Sequence, residues 1–202
     1  KKGFVPFPLT SQVWGVPSWL EKPKEALQQI LIDPGMAFGT GTHATTKMAA
    51  HFVVKFADKN KERTKDLTFL DVGTGTAILA ILARLSGFRT IKGIDIDPEA
   101  RRVSKDNISL NNSEGIEITD QLLEEVREKY DIVMANIIDG ILIQLQNDLL
   151  RVLKPGGQLF VTGILLEREG YFFEKFIEAQ KLRVVRRLEK DEWVGFWLER
   201  EG

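Results

Sequence analysis

Between Thr68 and Leu85 the hydrophobic pattern changes its period. Thr68-Phe-Leu-Asp-Val72 is a short apolar and β-branched run, and beyond Gly73 and Gly75 the apolar positions Ile78, Leu79, Ile81, Leu82 and Leu85 recur at helical spacing. The pattern predicts a strand, a tight turn and a helix. The same alternation continues along the chain. It predicts a second strand from Thr90 to Ile96, a helix from Glu99 to Asn111 with Arg and Lys outward, a third strand from Ile116 to Ile118 and a charged helix from Gln121 to Lys129. Tyr130-Asp-Ile-Val-Met-Ala-Asn136 reads as a fourth, buried strand ending in a polar residue. An amphipathic helix from Ile138 to Leu153 and the turn Lys154-Pro-Gly-Gly157 lead to a fifth strand, Gln158 to Thr162. Two more runs, Leu182 to Leu188 and Trp193 to Arg200, flank Glu-Lys-Asp-Glu and form a hairpin. Strands alternating with helices and joined by right-handed crossovers give an α/β, doubly wound, mostly parallel seven-stranded sheet, here with a C-terminal antiparallel hairpin.

Before this regular part, residues 1 to 31 hold Phe4, Pro6, Phe7, Pro8, Trp14, Pro17, Trp19 and Pro23. Proline removes a backbone donor and steers its predecessor away from helix, so this segment reads as short extended pieces and turns. We expect an N-terminal extension or linker over 1–31 with one edge strand, and a catalytic domain over 32–202. Trp14 and Trp19 are alternatively part of a partner surface.

Composition narrows the class. A chain of 202 residues with 43% hydrophobic and 28% charged content fits one globular domain. A net charge of −1 gives no global attraction to nucleic acid or to an anionic membrane, so neither is an expected partner. There is no cysteine, and His43 and His51 are the only histidines, which argues against a disulfide framework, a thiolate nucleophile and a metal site. No apolar run is long enough to span a membrane, and no signal peptide is visible, so a cytoplasmic protein is expected; the oligomeric state is open, with a monomer as the default. The chain opens on Lys1 rather than Met, and a start further upstream is expected.

The glycines after the first strand point to chemistry. Residues without Cβ let a ligand lie against the main chain at the positive end of a helix, and Asp95, 22 positions beyond Gly73, ends the second strand where a carboxylate can accept both hydroxyls of a ribose. The pattern therefore indicates a nucleoside site. A dinucleotide fingerprint would need glycine where Ile78 stands, and the Gly-Lys-Ser/Thr of a P-loop is absent. A plain strand-turn-helix without a ligand remains an alternative. A second informative stretch, Ile32-Asp-Pro-Gly-Met-Ala-Phe-Gly-Thr-Gly-Thr-His-Ala-Thr-Thr-Lys47, is rich in glycine and threonine and precedes a helix from Thr45 to Phe56. It reads as a ligand-covering loop, or as an ordinary glycine loop with a threonine helix cap.

Asp71-x-Gly73-x-Gly75-x-Ala77 resembles the first motif of class I S-adenosylmethionine-dependent methyltransferases, with Ala77 where a third glycine is common. Asp33-Pro-Gly-Met-Ala-Phe-Gly-Thr-Gly-Thr-His-Ala-Thr-Thr46 is similar to the signature of the ribosomal protein L-eleven methyltransferases. The likeness continues through Gly93-Ile-Asp-Ile-Asp-Pro98, Ala135-Asn136, Gly156-Gly157, Gly163-Ile164-Leu165 and Glu192-Trp193. The resemblance implies the class I fold, S-adenosyl-L-methionine as cofactor, and lysine or N-terminal amines of ribosomal protein L-eleven as substrate. It implies Thr46 at the methionine part, Gly73 and Gly75 at the close main-chain approach, Asp95 on the ribose, and Asn136 beside the transferred methyl as the catalytic residue. Phe38, His43 and Ile137 are its candidates on the substrate side. Phe38 lies against the amine's methylene stem or else anchors the loop; His43 fixes the loop or takes a proton. The Gly35 to Thr46 loop is expected to act as a lid. The family also has an N-terminal substrate-recognition domain, and the roughly 30 residues before Asp33 are too few for an independent core. Either that domain precedes Lys1 or the substrate is another protein or a small molecule. A non-catalytic cofactor-binding scaffold and a nicotinamide oxidoreductase are the competing classes; the latter conflicts with Ile78 and with the terminal hairpin.

Overall fold

The computed structural model describes residues 4–33 and 42–202. Its centre is a seven-stranded sheet built from β4 (Thr68–Val72), β5 (Thr90–Ile94), β6 (Ile116–Thr119), β7 (Tyr130–Asn136), β8 (Leu153–Leu165), β9 (Arg183–Lys190) and β10 (Trp193–Glu199). The strand order is β6-β5-β4-β7-β8-β10-β9. Strands β4 to β8 pair in parallel, and β10 runs antiparallel to both of its neighbours, β8 and β9. From β4 the chain moves outward through β5 to β6, then returns to place β7 on the other side of β4. The direction of winding thus reverses between β4 and β7, and a crevice opens there at the carboxyl ends of the strands.

Both faces of the sheet are buried, which explains the near-continuous apolar runs of the central strands. Along β8, Phe160 joins one core while Leu159 and Val161 join the other. The Phe160 side is covered by α1 (Thr42–Lys59), α2 (Ile78–Leu85) and α3 (Pro98–Leu110), and the opposite side by α4 (Asp139–Gln144), α5 (Gln146–Arg151) and α6 (Glu169–Phe172), which continues as a π-helical stretch over Phe173–Glu178. The Phe52 and Phe56 rings of α1 pack on Phe160, Phe56 also meets Trp197, and Lys59 lies over the Trp197 ring. Gly195, one strand over from Thr162, faces Phe52. Helix α1 therefore runs antiparallel to β8, and its first turns, with Thr46, sit at the carboxyl rim.

A second sheet of three strands, β1 (Phe7–Pro8), β2 (Val13–Pro17) and β3 (Gln28–Ile32), precedes α1. β1 and β2 are antiparallel, β2 and β3 parallel. Phe7, Leu9, Val13, Ile30 and Ile32 are buried in the same core as α1 and α2. The Phe7 ring lies over Gly15, where a Cβ would fall 2.6 Å from it.

The structure corrects several sequence expectations. The charged helix expected over 121–129 is a single 3-10 turn, Leu123–Glu125. The Arg151 guanidinium takes the carbonyls of Leu123 (2.9 Å) and Val126 (2.5 Å), which a longer helix would have needed for its own ladder. The helix expected over 138–153 is two, α4 and α5, broken where the Gln146 side chain donates to the Ile143 carbonyl at 2.8 Å. The expected turn at 154–157 lies inside β8 as an irregularity: the pairing with β7 jumps from Tyr130–Leu153 to Ile132–Gln158, Gly156 has φ of 75° and donates to the Glu201 carbonyl, and the Arg200 N–H donates to the Gly157 carbonyl. The second strand ends at Ile94 rather than Ile96, and α1 extends beyond the expected 45–56 at both ends.

Candidate functional site at the carboxyl rim

The glycine turn after β4 is built from alternating left-handed residues: Gly73, Gly75 and Ala77 have φ of 72°, 59° and 67°. Gly73 and Thr74 both donate to the Ile94 carbonyl, which pins the turn to the end of β5. A Cβ placed on Gly73 would find nothing nearer than the Ile137 side chain at 3.5 Å, and one on Gly75 nothing nearer than 4.0 Å. The glycines are thus required by φ, and the space above the main chain is open to a ligand.

Asp95 stands beyond β5 with its carboxylate oriented by main chain. One oxygen accepts the Gly75 N–H and the other the Asp97 N–H, each at 3.0 Å, and the Arg101 guanidinium donates to the Asp95 carbonyl at 2.9 Å. Asp97 caps α3 through the Glu99 N–H, and Pro98 opens the helix, so the local sequence Asp-Ile-Asp-Pro fixes this corner. Each Asp95 oxygen keeps a further lone pair for a hydroxyl donor.

Beside it lies a cleft of about 270 Å³ lined by Gly73, Ile94, Asp95, Ile96, Leu122, Leu123, Ile137, Ile141 and others. Ile96 is 69% exposed, Leu122 43% and Ile141 41%, a cluster of bare apolar side chains around one opening. Flat apolar walls next to a carboxylate and an open glycine turn fit an adenosyl group, with the base against the walls and the ribose hydroxyls toward Asp95. A larger hollow, about 600 Å³, is lined by Thr10, His51, Lys55, Lys61 and Leu85. It faces the amino ends of the strands, where a doubly wound sheet does not gather ligands.

Asn136 ends β7 opposite Thr162 of β8, and its side chain makes no hydrogen bond to the protein among the described residues. The next residue, Ile137, donates its N–H to the Thr162 carbonyl and lays its side chain across Gly73. Of the residues singled out from sequence, Gly73, Asp95 and Ile137 share the cleft, Gly75 is hydrogen-bonded to Asp95, and Asn136 adjoins Ile137. Thr46 is buried in the second turn of α1, on the other side of the sheet from the cleft. Phe38 and the side chain of His43 lie outside the described residues, as does most of the loop expected to be a lid.

Sequence reasoning missed the apolar rim, because Leu122 was read as part of a helix and Ile96 as part of a strand. It also gave Asp71 no role beyond its place in the motif. That carboxyl is buried and accepts the Thr74 hydroxyl at 2.7 Å. Burial pushes its pKa up to about 7; the Thr74 bond opposes the rise and the nearby Asp95 charge adds to it. Ser104 was missed as well: its hydroxyl donates to the Gly75 carbonyl at 2.6 Å, a polar residue on the inward side of a helix.

The strand order, the antiparallel β10 and the glycine turn facing a strand-end carboxylate define a class I methyltransferase fold. Residues 1–201 match the family model described as "Ribosomal protein L11 methyltransferase (PrmA)". The chain belongs to that family. It is 36% identical over 192 residues to a ribosomal protein L11 methyltransferase from Azotobacter vinelandii, covering 95% of this chain and 63% of that protein. To the protein of the same name from Clostridium botulinum (strain Eklund 17B / Type B) it is 41% identical over 181 residues, covering 89% of this chain and 56% of that protein. The chain thus spans about three fifths of these curated relatives. A crystal structure of ribosomal protein L11 methylase from Lactobacillus delbrueckii subsp. bulgaricus superposes with a TM-score of 0.86 at 28% identity, over 98% of this chain and all of that one.

Proposed function

We propose that this chain carries the methyl-transfer site of an S-adenosylmethionine-dependent protein methyltransferase acting on lysine or N-terminal amines of ribosomal protein L11. The reading is supported by an oriented carboxylate and an open glycine turn that share one cleft at the carboxyl rim, and by Asn136, next to Ile137 of that cleft, whose carboxamide has no hydrogen-bond partner among the described residues, in a chain of this family. A ribosomal substrate and the absence of cysteine both suit the cytoplasm.

When bound, the cofactor supplies a methyl group on a sulfonium, activated for in-line displacement by an amine. Asp95 accepts the ribose hydroxyls with oxygens already aligned by the Gly75 and Asp97 N–H groups, so little order is lost on binding. Gly73 and Gly75 keep the main chain bare where the cofactor must approach, and Thr46, at the rim end of α1, is assigned to its methionine part. Ile137, whose side chain lies 3.5 Å from where a Gly73 Cβ would stand, forms an apolar wall beside the glycine turn. An amine attacks only through a free lone pair, whereas lysine has a reference pKa of about 10.4. Desolvation lowers that value, and the Asn136 side-chain oxygen accepts an amine hydrogen and turns the lone pair toward the methyl. Phe38 and His43 are assigned to the amine side of the same site.

The test is transfer of labelled methyl from S-adenosylmethionine to purified ribosomal protein L11. Asn136→Ala is expected to lower turnover about a hundredfold or more while leaving S-adenosylhomocysteine affinity within about threefold. Full turnover in that variant would reduce Asn136 to a strand-end residue.

A further inference from the structure

Helix α3 and the residue that caps its C-terminus turn three polar side chains toward the chain's interior, and all three grip main chain. Ser104 holds the Gly75 carbonyl. Asn107 is fully buried and makes three bonds: its Oδ1 accepts the Asp33 N–H at 2.8 Å, and its Nδ2 donates to the Asp33 carbonyl at 3.1 Å and to the Thr76 carbonyl at 3.0 Å. One turn on, Asn111 accepts the Leu31 N–H at 2.7 Å and donates to the Leu31 carbonyl at 2.8 Å.

The geometry has a simple cause. Helix residues four apart have Cβ atoms about 6 Å from one another, and alternate strand residues repeat at about 6.6 Å. Two asparagines at that helical spacing therefore match Leu31 and Asp33, and their carboxamides replace a neighbouring strand along the open edge of β3. Asn107 does more than Asn111, because its second N–H reaches the glycine turn. The turn's left-handed residues take its carbonyls out of any regular ladder, so those of Gly75 and Thr76 depend on Ser104 and Asn107.

We infer that Asn107 is a positioning residue for the cofactor: its one carboxamide sets the register between the glycine turn and Asp33, the segment from which the chain runs on toward Thr46. The inference rests on reading the turn over 73–77 as the cofactor's. A carboxamide is needed because both donors and the acceptor are used, and the isosteric Asn107→Asp keeps the shape while losing both donors. Its charge would also face two carbonyls.

Calorimetric titration of S-adenosylhomocysteine into the wild-type chain, Asn107→Asp and Asn111→Ala tests this, with urea unfolding of each. Asn107→Asp is expected to weaken binding about tenfold or more at pH 8. At pH 5, where a carboxylic acid regains one donor, it should recover about threefold relative to wild type in the same buffer. Asn111→Ala loses its contacts to β3 and its bond to the Asn107 main-chain carbonyl at 2.7 Å, but none to the glycine turn, and is expected to lower stability while binding within about threefold of wild type. Should Asn107→Asp not fold, Asn107→Ser, too short to span both segments, replaces it, with binding about tenfold weaker or more expected at both pH values. Binding by the Asn107 variant within threefold of wild type at both pH values overturns the inference alone, as does an equal weakening in Asn111→Ala. A wild-type chain that binds no S-adenosylhomocysteine overturns the cofactor reading and this inference together.

Discussion

Ala77 shows how a single residue can be legible in sequence and still hold a surprise. Its place in the motif marks a position where glycine is common, and in the structure it takes the left-handed φ of 67° while fully buried. Left-handed backbone costs an L-residue about 1–2 kcal/mol. Replacing it with glycine would also remove a buried methyl worth about 0.8 kcal/mol and free the unfolded chain by about 0.4–1 kcal/mol. These terms nearly cancel. Ala77→Gly is therefore expected to shift unfolding stability by less than about 1 kcal/mol, whereas Ala77→Val, β-branched at positive φ in a filled core, should cost about 2 kcal/mol or more by urea denaturation. A large loss in the glycine variant would contradict the strain argument. Asp71 makes a second claim at this scale. Its folded pKa is raised to about 7, above the unfolded value of about 3.9, so the native state holds the extra proton between those limits. The contribution is present at low pH and is lost as pH rises through about 4 to 7, by at most about 1.4 kcal/mol per pH unit. Asp71→Asn should flatten the stability profile over that window; an unchanged slope would show that another group sets it. Gly73 and Asp95 could be found from spacing because each ends a local strand. Asn107 could not, since its partners are 31 and 74 residues away.

At the scale of elements, the strands and the helices following β4 and β5 were readable because each carries its own period. The failures share a cause. At 121–129 and at Gln146, side chains distant or local took carbonyls that helical periodicity assigned to a ladder. The helix over 169–178 went unread although Phe172, Phe173, Phe176 and Ile177 recur at helical spacing, so there the signal was present. The most consequential junction is the crossing of the Asn136-Ile137 segment over β8. Gly163, with φ of 93°, lets the Ile137 main chain approach so closely that a Cβ would lie 2.8 Å from its carbonyl oxygen. Backbone cannot yield as a flexible side-chain tip can. Gly163→Ala is expected to cost about 2 kcal/mol or more in unfolding free energy. By displacing Asn136 it should also lower methyl-transfer turnover more than cofactor affinity. Near-neutral stability in that variant would mean that the junction slides freely.

For the whole molecule, alternating strand and helix patterns were enough to anticipate a doubly wound sheet closed by a hairpin, because parallel sheets bury both faces and leave a strong apolar signal. The three-stranded N-terminal sheet was out of reach. Its strands are short, two of them end in proline, and all are held by non-local partners: Phe7 over Gly15, and β3 against Asn107 of α3 and its cap residue Asn111. The apolar cleft was likewise hidden, since its walls come from the ends of several elements that meet only in the fold. The central claim is that this rim is an S-adenosylmethionine site with Asp95 on the ribose. Calorimetric titration of S-adenosylhomocysteine, with NAD as the comparison, into the wild-type chain and a folded Asp95→Ala variant tests it most directly. The account predicts one site for S-adenosylhomocysteine, none for NAD, and a loss of about 1.5–3 kcal/mol, roughly 10- to 150-fold, in the variant. Equal affinity in the two proteins, or binding of NAD in place of S-adenosylhomocysteine, would contradict it.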